Sequence, residues 1–155
     1  MSTLAQVAKE SDRAVADARA ALTRAVREAS AQGMTQVQIA REIGRSQPEV
    51  SRLLRFHGTS PLARRLRTHR ADVLRIIGAA GGGDVRVVGS LAEGADGPGS
   101  DVDLLATWAA PLGLMGLARL EAQLEDLLGT DVDLVPDSSL RPGIRDRVLH
   151  QAVPL

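Results

Sequence analysis

The chain has 155 residues, enough for one ordinary domain or two small ones, and 44% hydrophobic against 25% charged residues can build a core and stay in water. The absence of cysteine excludes disulfides, thiolate metal sites and a cysteine nucleophile, and with aromatics at 1% the core must be aliphatic. The formal net charge of zero hides a split: residues 1–80 hold 14 basic and 7 acidic residues, +7, and residues 81–155 hold 5 basic and 12 acidic, −7.

In chain order, residues 4–31 read as an alanine-rich helix, with Val15, Ala18, Leu22, Ala25, Val26 and Ala29 at helical spacing. Residues 35–56 read as two short helices around a tight turn. Thr35 caps the first with Gln38 as capping-box partner, Val37, Ala40 and Ile43 form its inner face, and Gly44 closes it. Ser46 caps the second, Glu49 favours its positive end, and Val50, Leu53 and Leu54 face inward. "HGTSP", residues 57–61, is a break. A helical region led by Ser60-Pro61 follows, with Leu62, Leu66, Val73, Ile76 and Ile77 on its apolar side, and the glycines at 81–83 end it.

From there the pattern changes to "DVRVVGS", a strand; "SDVDLLATW", a second strand; "GLMGLARLEAQLEDLLG", an amphipathic helix; "TDVDLVP", a third strand; and "RPGIRDRVLHQAV", a closing helix. The fold class is α+β: an all-α N-terminal domain over residues 1–58 and a small mixed-sheet α/β domain over residues 61–155. No run approaches the roughly 18 apolar residues of a membrane span, and the charged N-terminus lacks a signal-peptide core. A cytoplasmic protein without a membrane partner is expected.

Two acidic residues interrupt the second strand. Side chains alternate with a period of two, so Asp101 and Asp103 point one way while Val102 and Leu104 point into the core. Paired carboxylates repel, and a divalent cation resolves the conflict; oxygen-only ligands favour magnesium or manganese over zinc. The "DVDL" of residues 101–104 recurs at 131–134, so a third carboxylate joins if the two strands are neighbours. Upstream, Gly89-Ser90 ends a strand at a turn whose backbone N–H groups can cradle phosphate. An exposed acidic edge is the plain alternative to a metal and phosphate site.

The stretch "GSLAEGADGPGSDVDLL" resembles the signature of the DNA polymerase β-type nucleotidyltransferases, especially the minimal nucleotidyltransferases, over residues 61–155. The resemblance implies metal-dependent transfer of a nucleoside monophosphate from a triphosphate, such as ATP, to an acceptor. It implies that Gly89 and Ser90 hold the triphosphate, that Asp101 and Asp103 bind Mg2+ or Mn2+, and that Asp133 is the third carboxylate, helping to activate the acceptor. Asp131 fits less well. The family's arginines after the serine are replaced by Leu91 and Glu93, which removes a cation and adds an anion.

"QIAREIGRSQPEVSRLL" resembles a helix-turn-helix. An αα-hairpin with no DNA role is the plain alternative. The polar face of the second helix favours DNA: Gln47, Glu49, Ser51, Arg52 and Arg55 lie off the apolar stripe, where a recognition helix meets base edges, and Arg41 and Arg45 suit phosphates. The basic run at 63–70 either extends the phosphate surface or is a solvated helix face. His57, His69 and His150 have no metal-ligand spacing.

Many stand-alone minimal nucleotidyltransferases are antitoxins that inactivate HEPN-type toxins by transferring AMP to a toxin tyrosine. The resemblance thus implies an antitoxin that modifies a HEPN-type toxin and represses its own operon, with a homodimer expected on a palindromic site. This chain contains no tyrosine, so the acceptor would lie on the partner. Two alternatives stand beside this reading: a transcription regulator whose degenerate nucleotidyltransferase domain senses nucleotide or binds a partner, and an aminoglycoside-type small-molecule nucleotidyltransferase.

Overall fold

A computed structural model describes residues 3–155, and in it the chain divides into a unit ending at Leu54 and a unit from Arg55 to Leu155. The first unit contains α1 (Leu4–Ala31), α2 (Gln36–Ile43) and α3 (Gln47–Leu54). Thr35 and Gln38 form the expected capping box, and Gly44 ends α2 with left-handed geometry (φ 66°). Val26, Ile39, Ala40 and Val50 make a small aliphatic core. Val37, expected inside, is exposed. On a 100° helical step Ile39, Ala40 and Ile43 form one stripe, and Val37 falls to its side. The Arg27 guanidinium donates from Nε to the Leu53 carbonyl at 3.2 Å, joining α1 to α3, and burial lowers its pKa.

The second unit is a four-stranded mixed sheet in the order β3-β2-β1-β4, with β2 and β3 parallel and the other pairs antiparallel. Its elements are α4 (Pro61–Thr68), α5 (Arg70–Ala79), β1 (Gly82–Val88), α6 (Gly89–Glu93), β2 (Val102–Trp108), α7 (Leu114–Leu128), β3 (Val132–Pro136), a 3-10 turn (Asp137–Ser139), α8 (Pro142–Gln151) and β4 (Val153–Pro154). This α+β architecture agrees with the expectation. Helices α5 and α7 supply Val73, Ile77, Leu120, Leu124 and Leu128 to a core shared with Val85, Val87, Val102, Leu104, Val132 and Leu134. Each fully buried leucine there contributes roughly 1.5–3 kcal/mol, so this aliphatic layer sets which sheet face is covered.

Three elements differ from expectation. The single helical region after Pro61 is two helices meeting at His69, a break that no glycine or proline marks. Strand β1 begins inside the glycine run read as a terminator. A Cβ at Gly82 would stand 2.6 Å from Ile77 Cγ2 and 2.8 Å from the Trp108 ring, so this glycine is a packing residue. Helix α8 stops at Gln151, and Val153–Pro154 form an edge strand against Arg86 and Val87. Proline lacks the helical N–H donor and biases the residue before it toward extended geometry. Among the described residues no helix is long and apolar enough to cross a membrane.

Candidate active site

Parallel pairing of β2 with β3 sets Val102 beside Val132, Asp103 beside Asp133 and Leu104 beside Leu134. Alternation sorts the side chains: the four apolar residues are buried under the helices, so Asp103 and Asp133 share the opposite face. On its other side Asp103 pairs in register with Val88, the last residue of β1. The chain then turns sharply at Gly89-Ser90 into α6, so the glycine corner and the carboxylates meet at one end of the sheet.

Gly89 is required twice. Its φ is +70°, and a Cβ there would collide with the Asp103 carboxylate. A residue with a side chain would pay both the left-handed backbone and the clash. No side chain caps the start of α6, which leaves its first-turn N–H groups available to an anion. Ser90 is half-buried in that turn. Leu91, at a position where the resemblance implies arginine, is only 1% exposed and belongs to the core. Glu93 is exposed.

Asp101 lies one residue before β2 rather than within it. The ladder starts at Val102, whose N–H donates to the Asp131 carbonyl at 3.0 Å. Burial first, then the carboxylates of Asp133 and Asp101, hold the Asp103 carboxyl above the ordinary carboxylate range. An ionised Asp103 is therefore costly in the free protein, and a cation relieves that cost. Asp131 is exposed outside β3. Among the described residues no group of three or more acidic or histidine side chains is drawn tightly enough to hold a metal ion. The donor chemistry nevertheless fits a hard divalent ion: carboxylate oxygens only, with like charges that a cation would draw together.

Several residues that the sequence reading passed over hold this arrangement. Asp96 in the glycine-rich loop accepts from the Ser60 hydroxyl at the start of α4, and Ser100 Oγ accepts from the Gly97 N–H at 2.9 Å. β3 is an edge strand, and α7 satisfies its outer N–H groups: Val132 donates to Glu125 Oε1 at 3.3 Å and Leu134 to Glu121 Oε1 at 3.0 Å. The signal was available in the i,i+4 spacing of two glutamates, each one residue beyond a core leucine. Arg86 on β1 and Thr107 on β2 converge on Asp137, at 3.2 and 2.6 Å. A lone arginine inside an apolar strand was the clue.

Residues 66–154 match the family described as nucleotidyltransferase domain. The chain belongs to this family. The protein adenylyltransferase MntA of Thermococcus cleftensis is 41% identical over 70 residues, which are 45% of this chain and 71% of that relative. A solved structure whose description proposes a minimal nucleotidyltransferase is 39% identical, with TM-score 0.56 over 64% of this chain and all of that one. A toxin–antitoxin structure with AMP-PNP, 24% identical, shares the fold at TM-score 0.50 over 56% of this chain and 69% of that one. The chain is thus a nucleotidyltransferase, with its first unit outside the family match.

In that first unit of the nucleotidyltransferase the residues expected to meet DNA are distributed unevenly. Arg45 lies between α2 and α3 and pairs with Glu49 at 3.7 Å, both partly exposed. Gln47 donates to Gln36 Oε1 at 3.1 Å across the same turn. Arg52 is exposed on α3 and Ser51 half-buried. Arg55 lies beyond the end of α3 and within the second unit, not on the expected recognition helix. The helix ends at Leu54, one residue before it.

Proposed function

We propose that this nucleotidyltransferase is a protein adenylyltransferase that transfers AMP from ATP to a hydroxyl on a partner protein. The observation that carries the reading is the register pairing of Asp103 with Asp133 beside the Gly89 corner. The name of the Thermococcus cleftensis relative supports the choice of a protein acceptor. Asp101, Asp103 and Asp133 would hold magnesium or manganese, which supplies charge neutralisation of the triphosphate when bound. Gly89 and Ser90 receive the phosphates with backbone N–H groups and a hydroxyl. Asp133 accepts the acceptor hydroxyl's proton in this reading. The acceptor oxygen bonds to the α-phosphorus, the bond to the bridging oxygen breaks, and pyrophosphate leaves. In this reading the acceptor is a tyrosine of a HEPN-type toxin; this chain has no tyrosine, so such an acceptor lies on the partner.

The α2–α3 pair is a DNA-reading helix-turn-helix in this proposal. Arg45, Gln47, Glu49, Ser51 and Arg52 contact the operator. Support comes from the tight Gly44 turn, the exposed Arg52 and the basic charge of the N-terminal half.

The test is incubation with α-labelled ATP, magnesium and the protein encoded beside it. Label on that protein, lost in Asp101→Asn and Asp103→Asn, is expected. Label on an aminoglycoside instead would overturn the protein acceptor, and no transfer with ATP-dependent operator binding would point to a nucleotide-sensing regulator. Arg52→Ala should weaken operator binding and leave AMP transfer unchanged.

A further inference from the structure

The first 18 residues of α1 have no tertiary cover. Every residue from Leu4 to Ala21 is exposed, Leu4 at 90%, Val7 at 51% and Val15 at 47%. Only the C-terminal part of the helix, around Val26, joins a core. At 1.5 Å per residue that is about 27 Å of bare helix.

A seam starts in the bare segment and runs into the covered part of the helix, where Leu22 and Ala29 also pack against the first unit's core. Leu4, Ala8, Ser11, Val15, Ala18, Leu22, Ala25 and Ala29 follow one another at alternating steps of four and three, the heptad spacing of a coiled coil. The far end of the same helix carries a receptor. Ala25 and Ala29 line an apolar groove of about 190 Å³ with Met34, Ile39 and Ile43, all within the first unit. A cavity of roughly 150 Å³ accepts a benzene ring, so this groove has room for an aliphatic side chain.

We infer that α1 pairs antiparallel with α1 of a second copy of this chain. In the register that aligns the two seams, Leu4 stands opposite Ala29 of the second copy, Ala8 opposite Ala25, Ser11 opposite Leu22 and Val15 opposite Ala18. Leu4 then reaches the groove of the second copy, and the reciprocal contact closes the two-fold. Charge agrees with this register. Asp12 and Arg19 both flank the seam on the same edge. Antiparallel pairing brings like edges together, so Asp12 of each copy meets Arg19 of the other. Among the described residues neither has an ion-pair partner in its own chain. A parallel pair would not juxtapose them. This inference stands independently of the proposed activity and of DNA binding.

Sedimentation of the full chain tests it. The wild type should sediment as a dimer, and its helical circular dichroism should fall on dilution through the dissociation constant. Val15→Glu, which puts a charge in the seam, should weaken the dimer by roughly 100-fold or more. Asp12→Arg and Arg19→Asp, surface changes that leave both cores intact, should each weaken it roughly ten-fold, and the double reversal should restore it. A wild type that is monomeric at tens of micromolar overturns the inference. So does a dimer indifferent to both single reversals, or one that the double reversal fails to restore. Leu4→Cys tests direction: a disulfide between the two introduced thiols, formed readily under oxidation, would mean a parallel pair and overturn the antiparallel one.

Discussion

Asp103 on β2 and Asp133 on β3 are direct register partners across two parallel strands. Directly opposed like charges destabilise a sheet, and here burial adds to the repulsion. A group whose folded pKa is raised costs stability while ionised, and that cost is relieved as pH falls through the folded value. Asp103→Asn should therefore raise the Tm of the metal-free protein at neutral pH by about 1–3 °C. The same substitution should lower AMP transfer on the order of 10²–10³-fold, the scale for one preorganised electrostatic contact. Thermal melts and initial rates on one preparation check both. A variant both less stable and less active would mean that Asp103 is structural.

The pH profile of transfer follows from the same shift. On the proposed function the acid limb should lie above the ordinary carboxylate range, because an Asp103 that holds a cation must be ionised and its pKa is raised. Raising the magnesium concentration should move that limb to lower pH, since the cation competes with the proton. Rates across pH at two magnesium concentrations read the effect directly, and a limb indifferent to magnesium would separate the titrating group from the metal site.

Asp137 behaves oppositely. The Thr107 hydroxyl first, then the charges of Arg86 and Arg145, hold its carboxyl below the ordinary range against an opposing cost of burial. Its side chain is 16% exposed and that of Arg86 13%. Its stabilisation is present above the unfolded pKa near 3.9 and lost as pH falls through the folded value. Thr107→Val should cost roughly 1–2 kcal/mol at pH 7. The gap to the wild type in urea denaturation should close in strong acid, where both carboxyls are protonated.

The candidate site was legible where chemistry leaves a repeat. "DVDL" occurs twice, and strand alternation alone sends both aspartates away from the core. The pairing of the two strands was conditional, because sequence does not state which strands are neighbours. The burial of Leu91 was not legible for a related reason: the turn after Ser90 is helical, and a one-turn helix returns its third residue to the core. The break at His69 and the end of α3 before Arg55 depended on packing that no residue type announces, whereas the exposure of Val37 follows from its place beside the Ile39, Ala40 and Ile43 stripe. β4 was missed although Pro154 argued against continuing the helix.

Gly89 and Gly94 make a paired test, because both have positive φ, +70° and +71°, at the two ends of α6. Around Gly94 a Cβ would find nothing within 4 Å, whereas at Gly89 it would overlap Asp103. Gly94→Ala should cost about 1 kcal/mol, the backbone penalty alone, and leave the rate of transfer unchanged. Gly89→Ala should cost more, roughly 1–3 kcal/mol, and displace the Asp103 carboxylate, abolishing most transfer. Equal losses of activity in the two variants would place the site elsewhere.

The outer edge of β3 gives the last test. Glu121 and Glu125 on α7 accept the N–H groups of Leu134 and Val132, the residues on either side of Asp133. Removing one acceptor leaves a partly buried donor without its partner, at a cost of about 1–3 kcal/mol. In Glu121→Ala and in Glu125→Ala, amide exchange should accelerate in β3 before it does in β1. Transfer should fall beyond what the loss of folded protein explains, because Asp133 loses its fixed height relative to Asp103. Gln at either position keeps an acceptor oxygen and should restore most of the protection. If Gln restores nothing, the carboxylate charge rather than the hydrogen bond holds the edge.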